Sequence, residues 1–183
     1  MSRLRVRRAV AADAEAYVAT HVAAQIAVYQ PLMPPEYAED RLAEQPRVTA
    51  ELAEELGRLQ AVLAAGEEPF RHHWVAELDD RIIGIACAGN GMNWWEEHFD
   101  PPPADIPWIL DRLYVIPEAL GSGAGQALFD VAVGDRSAYL WIIVDNHRAE
   151  RFYRRNGFVP DGAEGETGPI WYHRHMFRMV RRV

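Results

Sequence analysis

The residues best suited to chemistry fall in two short runs, and the first of them binds through its backbone. Residues 113–128 read LYVIPEALGSGAGQAL, with Gly121, Gly123 and Gly125 alternating with Leu120, Ser122 and Ala124. Glycine reaches positive φ without strain and lets bare N–H groups approach a ligand. Tyr114 and Val115 belong to an apolar strand that Pro117 ends, while Ala127, Leu128, Val131 and Ala132 share one face of a helix that follows the turn. Unpaired N–H groups and the positive end of a helix dipole then meet at one point, which suits a phosphate. An ordinary tight turn from strand to helix would use the same glycines.

The second run, DNHRAERFYRRNGF at 145–158, puts Asn146, Ala149 and Tyr153 at i, i+3 and i+7, on one helix face. A small Ala149 allows a ligand chain close to the helix, an asparagine amide both donates and accepts, and a tyrosine hydroxyl can give a proton. The same residues would also serve as an N-cap and a packing aromatic. Two other phosphate motifs fail: Gln126 and Leu128 stand where a dinucleotide fingerprint needs its last glycine, and the chain has no lysine for a P-loop. His72 with His73 and His173 with His175 give no zinc spacing, so no metal is expected.

Composition narrows the class. The 183 residues are 49% hydrophobic, enough for one domain over 1–183 with a sizeable core. A formal net charge of -8 argues against nucleic acid and fits a cationic substrate better. No apolar run suggests a membrane span or an export signal, so a cytoplasmic chain is expected. The one cysteine, Cys87, sits in the apolar run IIGIACAG and reads as a small buried hydrophobe.

These residues need elements to hold them. Leu4 and Val6 alternate with arginines in a first strand, Asp13 is placed to cap a helix running to about Tyr29, and Thr49 is placed to cap a second helix closed by Gly66. Residues 74–78 and 82–88 form a hairpin around Asp79, Asp80 and Arg81. The segment 90–107, NGMNWWEEHFDPPPADIP, has neither helical nor strand period. It suits a functional loop or, equally, a surface loop pinned by its aromatics or a contact between two copies of the chain in a homodimer. Strands 108–116 and 139–144 flank the glycine turn and its helix, an order that favours a parallel crossover. A last strand is expected over 171–180.

Together the two runs resemble the Gcn5-related N-acetyltransferase (GNAT) family. Residues 113–128 are similar to its pyrophosphate motif, ending Gln/Arg-x-x-Gly-x-Gly/Ala, with Gly123 and Gly125 in place but Leu120 where the family has Gln or Arg. Residues 146–158 match Asn-x-x-Ala-x-x-Phe-Tyr-x-x-x-Gly-Phe throughout, at Asn146, Ala149, Phe152, Tyr153, Gly157 and Phe158. The resemblance implies an α/β (α+β) fold: a central mixed, mostly antiparallel sheet with two splayed parallel strands and helices on both faces. It implies acetyl-CoA as cofactor, held by Tyr114, Val115, Leu120, Gly121, Ser122, Gly123, Ala124, Gly125, Asn146 and Ala149. It further implies transfer of an acetyl group to a primary amine of a small molecule or peptide, with Tyr153 protonating the departing thiolate.

The family's strand glutamate aligns with Ile109, which cannot act; Asp111, two residues on, is the nearest replacement base, with Glu77, Glu96, Glu97 or a water as alternatives. Trp94, Trp95, Glu96 and Glu97 would suit a cationic acceptor resting on aromatic faces. A second reading stands beside the enzyme: a GNAT-fold module that binds coenzyme A without catalysis, motivated by Leu120 and the missing glutamate.

Overall fold

A computed structural model describes residues 3–93 and 95–183. Seven strands form one mixed sheet in the order β1-β2-β3-β4-β5-β7-β6. They are β1 (Leu4–Arg8), β2 (Arg71–Leu78), β3 (Arg81–Asn90), β4 (Trp108–Val115), β5 (Ala138–Ile143), β6 (Val159–Glu166) and β7 (His175–Arg181). Four α-helices accompany them: α1 (Ala14–Tyr29), α2 (Tyr37–Ala64), α3 (Ala124–Ala132) and α4 (His147–Arg155). β4 and β5 pair parallel, with Ile109 opposite Tyr139, whereas β1–β2, β5–β7 and β6–β7 are antiparallel. The mixed, mostly antiparallel sheet expected from the sequence is therefore present. Among the described residues no helix is long and apolar enough to cross a membrane.

The chain folds as two compact units, Met1–Ala88 with Arg112–Gly134, and Gly89–Asp111 with Asp135–Val183. In the first unit Tyr17, Val18 and Val22 of α1 meet Leu52 and Leu56 of α2, and Val75 and Ile85 of the hairpin strands, in one buried cluster. Asp79 and Asp80 take left-handed φ of 50° and 61° between β2 and β3. Two consecutive positive φ values are the signature of a tight hairpin turn whose twist matches the strands. Asp13 does not cap α1 through its side chain. Its oxygens instead take the Arg7 guanidinium at 2.6 and 2.8 Å and the Val10 N–H at 2.8 Å. Nor does α2 begin at Thr49: it starts at Tyr37 and runs through Pro46. An interior proline ordinarily costs about 3 kcal/mol. Tyr37, 0% exposed, and buried Arg41 anchor the helix ahead of it.

In the second unit β5 is buried along nearly its whole length, as a strand flanked on both sides by neighbours should be. β6 was not evident from its sequence. VPDGAEGE carries little apolar signal, and it is a strand because β7 supplies its partners, with a register shift between Pro160 and Glu164. The last strand starts at His175, later than expected, because Tyr172 and His173 take φ of 55° and 53° in a turn. The long segment before β4 contains a short 3-10 turn, Glu96–His98, whose first residue is buried.

Candidate active site

In the first unit the chain leaves β4 through Ile116, whose N–H donates to Ile83 O at 2.9 Å, and enters a 3-10 turn at Pro117–Ala119. Leu120 follows, 40% exposed and extended. Gly121 and Gly123 then take φ of 84° and 89°, and Gly123 caps α3 from the left-handed region. A Cβ on Gly121 would meet nothing within 4 Å, so conformation rather than space requires glycine there. Ala124 N–H donates to Ser122 Oγ at 3.3 Å and Ala127 N–H to Gly123 O at 3.0 Å, which starts the helix at once.

Acidic residues sit in the first turns of α1 (Glu15), α2 (Glu39, Asp40) and α4 (Glu150), but α3 has none among the described residues. Its positive end is therefore not neutralised by its own side chains, as a site for an anion requires. The turn's backbone thus fits a pyrophosphate, while Leu120 contributes no charge to it.

One residue that holds α3 in place went unnoticed in the sequence. A Cβ on Gly84 of β3 would lie 3.0 Å from both Leu128 Cδ1 and Tyr114 O. Glycine is what lets α3 and β4 approach β3 so closely, and a lone glycine inside an apolar strand is the signal that could have found it.

Three buried histidines lie in the same unit, His21, His72 and His73, and two of them have clearly shifted pKa values. His73 of β2 contacts the Tyr17 hydroxyl at 3.2 Å through Nδ1, and Glu55 at 3.1 Å and Cys87 Sγ at 3.7 Å through Nε2. Burial opposes its charge, but Cys87 and Glu55 outweigh that and raise its pKa to about 9. Cys87 is thus buried as expected, but it faces a histidine rather than apolar neighbours only. His21 of α1 stacks at a tilt on Tyr114, ring centroids 4.7 Å apart. Burial first, then Arg112, Arg41 and His73, hold its pKa well below the usual value.

In the second unit Asn146 is the N-cap of α4, its Oδ1 accepting the Ala149 N–H at 3.2 Å. Ala149 is half-buried. Tyr153 is 8% exposed, its ring edge-on to Phe152 and Phe158 at 5.4 and 5.8 Å. The capping and packing roles are therefore both present on this face. Gly157, with φ of 85°, ends the helix.

Asp111 on β4 is half-buried, its Oδ1 accepting from Asn93 Nδ2 at 2.9 Å, while Ile109 is buried in a cluster with Tyr139. Glu96 is only 1% exposed. It accepts from Asn93 N–H at 2.9 Å, Trp141 Nε1 at 2.9 Å and the Tyr139 hydroxyl at 3.2 Å. Those bonds make Glu96 a structural anchor of the loop. Trp95 stacks on Phe99 and meets Trp141 edge-on, and Glu97 is exposed. Trp94 lies outside the described residues. Beside Glu96, a cavity of about 390 Å³ is lined by Met92, Pro107, Tyr139 and Arg178 among others. Glu77, another candidate base, is hydrogen-bonded to Arg7 in the first unit. Among the described residues no group of three or more His, Cys, Asp or Glu side chains could hold a metal ion.

The family model described as "Acetyltransferase (GNAT) domain" matches residues 69–160, which include the glycine turn and α4. An uncharacterized N-acetyltransferase of Methanocaldococcus jannaschii is 31% identical over 117 residues, 60% of this chain but 45% of that protein. The chain thus spans less than half the length of that relative. Among solved structures, PaiA N-acetyltransferase from Thermoplasma acidophilum in complex with coenzyme A superposes with a TM-score of 0.68. It is 18% identical, and the match covers 99% of each chain. A GCN5-related N-acetyltransferase from Rhodopseudomonas palustris gives a TM-score of 0.67 at 20% identity, covering 100% of this chain and 98% of that one. At such identities the likeness speaks for the fold, and the family model speaks for the sequence. The chain belongs to the GNAT acetyltransferase family.

Proposed function

We propose that the protein transfers the acetyl group of acetyl-CoA to a primary amine of a small molecule or peptide, by direct attack of the neutral amine. The observation that carries this reading is the α3 N-terminus, a left-handed glycine cap on a helix with no acidic residue in its first turn. When bound, acetyl-CoA supplies an activated thioester. The backbone of residues 120–125 receives its pyrophosphate, and Asn146 and Ala149 hold its pantetheine arm. The backbone N–H groups around Val115 polarise the carbonyl being attacked. Asp111 takes the proton of the incoming amine, and Tyr153 gives its hydroxyl proton to the departing sulfur. In support, Asp111 sits on the strand leading to the turn, and the Tyr153 ring is fixed by Phe152 and Phe158.

Titration calorimetry with coenzyme A and a thiol-release assay with a panel of amines test this together. Gly123→Val forces a side chain onto a φ of 89°, and coenzyme A affinity should fall at least about tenfold. Tyr153→Phe keeps the ring packing, so the affinity should hold while kcat falls by about 10²-fold. A parent chain that binds no coenzyme A would end the proposal. Binding with unchanged kcat in Tyr153→Phe would remove only the tyrosine from its role.

A further inference from the structure

The acetyl transfer proposed above gives His21 of α1 no role. The side chain is 9% exposed, and its Nε2 has no hydrogen-bond partner among the described residues. Buried polar atoms in folded proteins are nearly always paired, so one left unpaired points to a water, ion or ligand group that completes it. Its ring is held against Tyr114 of β4, the strand that runs into the glycine turn.

Charge around the ring decides what that group is. Arg112 of β4, Arg41 of α2 and His73 of β2 all act on His21 from the packed elements, and each disfavours a second positive charge there. Two of these cations have carboxylate partners on α2: Glu44 pairs with Arg41 at 3.0 Å, and Glu55 with His73 at 3.1 Å. A neutral imidazole can present Nε2–H as a donor. An ammonium at this place would meet like charge, whereas an oxyanion would meet a donor and an attractive potential.

We infer that His21 Nε2, backed by Arg112 and Arg41, recognises a carboxylate on the acetyl acceptor, so that the acceptor is an amine that also carries a carboxylate. The inference rests on the acetyltransferase reading. It also reverses what the chain's overall charge of -8 suggests, because the local charges around the ring oppose the global balance. The same cations favour the neutral form of an amine brought beside them, the form that attacks a thioester.

Matched pairs of acceptors test it, each an amino acid and its carboxamide, with spermidine as a cationic control and coenzyme A binding measured separately. The amino acid of a pair should be acetylated with a kcat/KM at least about tenfold above its carboxamide, with spermidine poorest. His21→Phe keeps an aromatic ring against Tyr114 without the unpaired nitrogen. Its Tm should rise, its coenzyme A affinity should hold, and the preference for the amino acid should shrink by about tenfold or more. Arg112→Gln should shrink the preference as well, and it provides the test should His21→Phe fail to fold.

Carboxamides or spermidine acetylated as well as the amino acids would overturn the inference. So would a preference unchanged in His21→Phe, which would leave Nε2 to a buried water. A parent chain that binds no coenzyme A, or releases no thiol with any amine, would instead sink the acetyltransferase reading and the inference with it.

Discussion

Glu96 in the second unit and His21 in the first are both almost fully buried, and they satisfy their polar atoms in opposite ways. Glu96 collects Asn93 N–H, Trp141 Nε1 and the Tyr139 hydroxyl. Among the described residues His21 Nε2 collects nothing, and the charges acting on it are cations. A buried carboxylate with several donors belongs to the architecture, because the protein already supplies all it needs. A buried ring nitrogen with none is an open valence that a ligand can complete. Two polar groups of similar burial thus separate into scaffold and candidate recognition point.

Removing the satisfied group should have the largest effect. Glu96→Leu leaves three donors facing an apolar side chain, and each unpaired buried donor costs about 1–3 kcal/mol. Urea unfolding should therefore show a loss of about 3–5 kcal/mol, whereas Glu96→Gln, which keeps one acceptor oxygen, should lose clearly less. A loss under about 1 kcal/mol in the leucine variant would mean that Glu96 is no anchor, and the contrast with His21 would collapse.

Asp111 stands between the two extremes. It is half-buried, and Asn93 Nδ2, from the residue that also bonds Glu96 through its backbone, donates to its Oδ1. Asp111→Asn preserves that acceptor oxygen, so stability should change by less than about 0.5 kcal/mol. If Asp111 takes the amine proton, turnover should fall by about 10²-fold and the acidic limb of its pH profile should vanish. An unchanged profile would place Asp111 with Glu96, as architecture.

How much of this was readable in the chain depends on how local the cause is. The glycine turn and α4 were legible because helix period, capping and left-handed glycines are all decided within about fifteen residues. The hairpin was legible for the same reason. The start of α2 was not: Thr49 is the locally evident cap, whereas the helix begins at Tyr37 and passes through Pro46, with Tyr37 and Arg41 buried ahead of the proline. β6 was hidden because its pairing comes from β7, not from its own residues. The roles of Glu96 and His21 lay furthest out of reach. Glu96 finds Trp141 across 45 positions, and His21 is surrounded by Arg41, His73 and Arg112 from three other elements. The GNAT motifs mark the glycine turn and α4, while long-range contacts such as these leave no local trace in the sequence.

Two of the first unit's histidines, His73 and His21, sharpen the comparison through pH. His73 is raised to about 9, so the stability it contributes is complete below its unfolded value near 6.5 and is lost as pH climbs toward 9. His21 is pushed down, so the folded state binds fewer protons than the unfolded chain. Its neutral burial therefore costs nothing above about pH 6.5 and becomes destabilising as pH falls below it. Stability should peak near pH 6.5, with neither limb steeper than about 1.4 kcal/mol per pH unit for one histidine. His73→Gln should flatten the alkaline limb and His21→Phe the acidic one. A limb that persists in its variant would show that another group controls it.

The smallest effect is expected at the mouth of the α3 turn, whose backbone takes the pyrophosphate in the proposed function. Leu120 is 40% exposed beside them and brings no charge, where the family carries Gln or Arg. An arginine there would add one cation at a solvated surface, worth about 0.2–1 kcal/mol toward an anion at low salt. Leu120→Arg should therefore tighten coenzyme A binding two- to fivefold or so, and the gain should fade as salt rises and the Debye length shortens. Dephospho- and pantetheine-only fragments separate the sources of that gain. Tightening that survives in a pantetheine fragment without the pyrophosphate would mean the new side chain acts on the arm, and the turn would lose its assignment as the phosphate end.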